Sequence, residues 1–145
     1  MIDKDKLKNF EKLPADIRRQ FSLLANQYGE KKKTAGIQNN FMDFVKHVWP
    51  DFIEGNHHKT IADKFDRLAQ GKIKRLIINM PPRHTKSEFG SYLLPAWMVG
   101  RNPKLKIIQS TNTTELSVRF GRKAKSLMDS PEYKQVFKTR LNPDS

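Results

Sequence analysis

Residues 75–111 read RLIINMPPRHTKSEFGSYLLPAWMVGRNPKLKIIQST, and the change of period inside this stretch decides the expected fold. Leu76, Ile77 and Ile78 form a short β-branched-rich run, bounded by charge and followed by Pro81 and Pro82, the pattern of a buried strand. Phe89, Tyr92, Leu93, Ala96 and Trp97 then recur in helical register, and Pro95 within the run predicts a kink or an early end. Gly100 and Pro103 form the exit, and a second strand is expected at 105–109. Strand, loop, helix and strand make a βαβ unit with a right-handed crossover, whose first loop lies at the carboxyl edge of a parallel sheet. The expected fold class is therefore α/β, a parallel sheet flanked by helices.

Such an edge is where phosphates bind, and the loop between the first strand and the helix has suitable chemistry. Asn79-Met80-Pro81-Pro82-Arg83-His84-Thr85-Lys86-Ser87-Glu88 ends in the Lys-Ser pair that closes a phosphate-binding loop and opens a helix. In that reading Lys86 holds the β- and γ-phosphates of ATP and the Ser87 hydroxyl ligates Mg²⁺. Both glycines of G-x-x-x-x-G-K-S are absent: Met80 stands at the first position and Thr85 at the second. Threonine does not easily take a positive φ, so the loop's geometry stays open at this point, and an ordinary strand-to-helix turn with a solvated Lys86 is the alternative.

The text around the loop resembles the ATPase centre of tailed-phage terminase large subunits, the P-loop (RecA/ASCE-like) motors of viral DNA packaging. In that family a loop of the form PPRhgKSE follows a strand and leads into "lpaW.lGrnP". The stretches HHKTIADKFDRLAQGKIKR before the loop and FGRKAKSLMDSPEYKQVF after it agree, so the likeness covers roughly residues 40–145. The resemblance implies an ATP- and Mg²⁺-dependent motor that drives double-stranded DNA into a capsid. Pro82, Arg83, His84, Thr85, Lys86, Ser87 and Glu88 would then line the nucleotide, with Lys86 and Arg83 catalytic and Arg83 a cis arginine finger; a salt bridge from Arg83 to a nearby acid is the alternative. His57 and His58 stand where related motors recognise adenine, although a capping or surface role fits them equally. The resemblance further implies a ring of subunits at the portal protein, a small terminase subunit as DNA-recognition partner, and a place in the host cell cytoplasm. The acidic Walker B strand and the nuclease domain of the family would lie beyond residue 145, so the chain by itself is expected to hydrolyse ATP poorly.

Outward from this region, Ile17, Phe21, Leu24 and Tyr28 share one helical face, opened near Pro14. Gly29, the run Lys31-Lys32-Lys33 and Gly36 suggest a linker at 29–37. This divides the chain into an N-terminal helical segment at 1–36 and the ATPase portion at 37–145. A helix carrying Phe41, Phe44, Val45, Val48 and Trp49 ends at Pro50, a loop follows at 51–58, and a helix with Ile61, Phe65, Leu68 and Ala69 stops at Gly71. Asn112 with Glu115 resembles a capping box for a helix through Leu116, Phe120, Ala124 and Leu127, and Ser130-Pro131 opens a last short helix. Trp49 and Trp97 read as core. Ser110, Thr111 and Asn112 suit either a nucleotide or DNA contact or a polar cap. Arg119, Arg122, Lys123 and Lys125 suit phosphates, a neighbouring subunit or a solvated face.

The composition is compatible with this reading without selecting it. Lys and Arg number 28 against 15 Asp and Glu, a formal charge of +13 spread along the chain, which favours polyanionic partners. With no cysteine, disulfides and thiolate metal sites are excluded. His57, His58 and His84 lack carboxylate or cysteine companions at the spacing zinc requires. Neither a signal peptide nor a membrane-length apolar run is present, so a soluble intracellular protein with no membrane partner is expected. Two rivals share the charge: another P-loop enzyme such as a helicase-like translocase, and a non-enzymatic basic DNA-binding protein.

Overall fold

The computed structural model describes residues 13–142, which divide between Ala35 and Gly36 into two compact units. The elements, in order, are α1 (Ala15–Asn39), α2 (Phe41–Val48), α3 (Asn56–Ala69), α4 (Lys86–Glu88), a π-helical turn π1 (Phe89–Leu93), α5 (Leu94–Arg101), α6 (Thr114–Asp129) and α7 (Pro131–Val136). All regular structure among the described residues is helical, which corrects the expected α/β class: no parallel sheet forms. Residues 76–78 and 105–109 are irregular. The reason lies in their cover. A parallel strand is buried on both faces, whereas only alternate residues here meet the helices: Leu76 and Ile78 pack against the core while Ile77 is 89% exposed, and Ile108 is 96% exposed.

The boundary between the two units falls inside the expected linker at 29–37, but that segment is helical and not a break in the pattern. α1 runs straight through Gly29 and the lysines, because Glu, Lys and Ala are strong helix formers that offset the roughly 1 kcal/mol cost of one glycine. In the first unit, Phe21, Leu24 and Tyr28 are exposed on this helix.

The second unit is built on an aromatic core. Phe41 is fully buried and meets Phe65, Phe89 and Trp97 edge-on, with centroids 5.0, 5.4 and 5.4 Å away. Such pairs add about 0.5–1.5 kcal/mol each beyond their area. One residue thereby ties α2 to α3, to π1 and to α5. The polar ends of the buried aromatics are satisfied: Trp97 Nε1 donates to the Ile37 carbonyl at 3.2 Å and the Tyr133 hydroxyl to the Ala96 carbonyl at 2.9 Å. Burial pushes the Tyr133 phenol up to about 12. Trp97 is core as read from sequence, and Trp49 packs at its margin.

The helix ends follow capping chemistry. Asn40 accepts from the Asp43 N–H, and Asp66 reaches from α3 to accept from the Phe41 N–H at 2.8 Å. α3 stops at Gly71, which takes φ 73°. It starts at Asn56, so His57 and His58 lie in its first turn rather than in the loop expected at 51–58. The α6 cap is Thr113, accepting from Leu116 N, one residue beyond the expected Asn112. Pro95 cannot donate to the preceding turn, and the helix widens there: Leu94 N–H reaches back to the Phe89 carbonyl, five residues away.

Gly100 marks the closest packing. A Cβ there would lie 2.7 Å from the Phe137 ring and from the Tyr133 hydroxyl. Gly100→Ala is expected to destabilise the protein by about 1–3 kcal/mol in denaturant titration, as overpacked cores do; an unchanged midpoint would show that the α5–α7 contact yields freely.

Candidate functional site

The segment 81–88 joins an irregular run to α4, and its backbone is unusual. Arg83 takes φ 65° and Thr85 takes φ 57°, ψ 10°, both in the left-handed region although neither is glycine. A β-branched residue there is held against a cost of about 1–3 kcal/mol. Thr85 occupies the position at which a phosphate loop carries its second glycine. Lys86 and Ser87 follow at once and are exposed.

The hydrogen bonds that offset the strain are specific. The Thr85 hydroxyl donates to the His84 carbonyl at 2.7 Å. Its oxygen also lies 2.7 Å from Nε2 of His58, 27 residues earlier. Since the hydroxyl proton is already engaged, Nε2 is the donor. Nδ1 of His58 in turn accepts from the Gly55 N–H at 2.9 Å. This is half of a capping box, with glycine offering no side chain to return the bond. The imidazole is thus neutral, with its proton on Nε2. It is buried between Phe52 and Phe89, whose centroids lie 4.8 and 5.2 Å away. Burial, reinforced by the neighbouring His57, holds its pKa below the ordinary histidine value.

The remaining residues gather unevenly. His57 is exposed, its ring 3.8 Å from that of His58 and 5.6 Å from that of His84. His84 Nδ1 bonds the Pro82 carbonyl at 2.9 Å, closing the loop on itself. Glu88 faces Lys123 of α6 at 3.9 Å, and the same ammonium lies 5.2 Å above the Tyr92 ring. Arg83 pairs with no acid among the described residues. The Thr111 hydroxyl donates to the Thr113 carbonyl at 2.7 Å and lies 2.6 Å from the Ser117 hydroxyl, while the side-chain cap of α6 comes from Thr113, outside the segment 110–112. Arg119, Arg122 and Lys123 line a shallow depression on α6.

A groove of about 410 Å³ adjoins the loop, lined by His57, Ile61, Lys64, Leu76, Ile78 and Met80 among others. It was not legible in sequence, because its walls come from α3 and from a run that reads as a buried strand. Among the described residues no group of three or more His, Cys, Asp or Glu is arranged to hold a metal. No helix among the described residues is long and apolar enough to cross a membrane.

No protein-family model matches the chain, and no curated protein and no solved structure matches it. The likeness to terminases stands on the residues quoted above alone.

Because the folded-state pKa of His58 lies below its ordinary value, the unfolded chain binds that proton more readily. The stability held by neutral His58 is complete above about pH 6.5 and declines as pH falls below it. Thermal melts across that range are expected to lose midpoint more steeply in the wild type than in His58→Gln; equal slopes would remove His58 as the cause.

Proposed function

We propose that residues 82–88 bind the phosphates of ATP, and that the chain belongs to an ATP-driven motor packaging double-stranded DNA, as its resemblance to terminase large subunits implies. The observation that carries this reading is the left-handed Thr85 directly before Lys86 and Ser87. Strain of this kind persists where a site requires it, and this is the residue at which the loop must turn its backbone N–H groups toward an anion.

Other features support a role for each part of the loop. Lys86 neutralises the β- and γ-phosphates, and Ser87 contributes its hydroxyl to Mg²⁺, which supplies charge neutralisation of the phosphates when bound. Arg83, unpaired among the described residues, is free to meet the γ-phosphate. The adjoining groove has the size of a small-ligand site and apolar walls suited to a purine ring, with His57 at its rim. His58 has both nitrogens engaged by the protein, so any contact to the base falls to His57. The duplex partner is supported by the +13 charge and by the cluster of Arg119, Arg122 and Lys123 on α6. A portal ring and a small terminase subunit follow from the resemblance alone.

Calorimetric titration of the chain with Mg²⁺ and ATP tests the reading. Saturable binding weakened at least about tenfold by Lys86→Ala is expected, the loss of one charge-assisted phosphate contact being worth about 1.5–3 kcal/mol. Absence of saturable binding, or an affinity unchanged by the substitution, would leave the loop a mere turn.

A further inference from the structure

The phosphate loop has no glycine at its left-handed position, so something outside the loop must hold that conformation. We infer that His58 is the positioning residue that does so, by donating its Nε2 proton to the Thr85 hydroxyl oxygen. This rests on the reading of residues 82–88 as a phosphate site and names the residue that shapes it.

Hydrogen-bond direction fixes the role of each group. Thr85 spends its only proton on the His84 carbonyl, so its oxygen can be held from the other side only by a donor. His58 Nε2 supplies that donor at 2.7 Å, and it is fixed as the donor because Nδ1 is occupied in accepting from the Gly55 N–H at 2.9 Å. The relay runs from the start of α3 through the imidazole to the one β-branched residue in the loop with a positive φ. A second proton on His58 would set an N–H against the Gly55 N–H and break that inner bond, while Nε2–H would still donate to Thr85, so the loop is supported by the ring in its place and not by its charge state. The ring is caged by Phe52, Phe89 and His57, so it cannot swing to a new partner without opening the core.

The charged and titratable groups around His58 are His57 on its own helix, His84 in the loop and Glu54 before the helix. Glu54 is already engaged by Lys46 at 2.6 Å. The effect of His58 is therefore read at a single pH, by comparing the wild type with His58→Gln, which keeps one donor and one acceptor, and with His58→Phe, which keeps neither; both variants retain the other two histidines.

The experiment has two arms on the full chain. In the first, ¹⁵N NMR of the histidine rings without nucleotide is expected to find His58 as the single Nε2–H tautomer, with the Thr85 amide signal changing as His58 titrates. In the second, affinity for Mg²⁺ and a non-hydrolysable ATP analogue is measured at about pH 7.5, above the ordinary histidine range. His58→Phe is expected to bind at least about tenfold more weakly than the wild type, one such factor being one hydrogen bond to the loop. His58→Gln is expected to bind more tightly than His58→Phe, and adding Thr85→Gly to His58→Phe is expected to restore most of the loss, since glycine takes the left-handed conformation freely. A mixed or Nδ1–H tautomer, His58→Phe binding as tightly as the wild type, or no rescue by Thr85→Gly would each overturn the inference. If the tautomer and the Thr85 response hold while no nucleotide binds, the relay stands and the phosphate reading falls. Binding with a freely titrating His58 and an indifferent Thr85 gives the reverse.

Discussion

A threonine held at positive φ is the constraint on which the rest of this site depends. L-residues with branched side chains avoid the left-handed region, and a single excursion costs about 1–3 kcal/mol. Thr85 sits there beside Arg83, in a loop with no glycine and little burial. Two hydrogen bonds at 2.7 Å, one to the His84 carbonyl and one from His58, offset that cost. At about 0.5–1.5 kcal/mol each, such bonds are of the size required. The loop's shape is thus a property of the tertiary structure, and it is delivered through α3.

α3 can deliver it because the aromatic core fixes both ends of the connection. Phe41 contacts Phe65 on α3 and Phe89 directly after α4, and Phe89 in turn packs against His58. The π-helical turn that contains Phe89 follows from Pro95, which withholds a donor from the turn before it. Backbone chemistry at Pro95, packing at Phe41 and hydrogen bonding at His58 therefore converge on the same few ångströms of loop.

Much of this frame was legible in the sequence, and the parts that were not share a cause. The helices at Phe41–Val48, Asn56–Ala69 and Pro131–Val136 follow from apolar period and from end signals such as Pro50, Gly71 and Ser130, because those signals are local. The strands were misread because a three-residue β-branched run carries no information about cover on its second face, and Ile77 has none. The helix break expected at Gly29 does not occur because one glycine does not outweigh its helix-forming neighbours, although the boundary between the units does fall within 29–37. Lys86 and Ser87 stood out by type and spacing. The left-handed Thr85 ran against its own propensity, and its support by His58 spans 27 residues that no local pattern connects. The site's most informative feature was the one the sequence argued against.

The central claim, that residues 82–88 form a phosphate cradle, is tested most directly by amide NMR during titration with Mg²⁺ and a non-hydrolysable ATP analogue. The account predicts saturable shifts concentrated at the amides of 83–88, with His57 and the groove residues Ile61 and Ile78 moving in step. Shifts confined to the basic face of α6 around Arg119 and Arg122, with the Thr85, Lys86 and Ser87 amides unmoved, would contradict it.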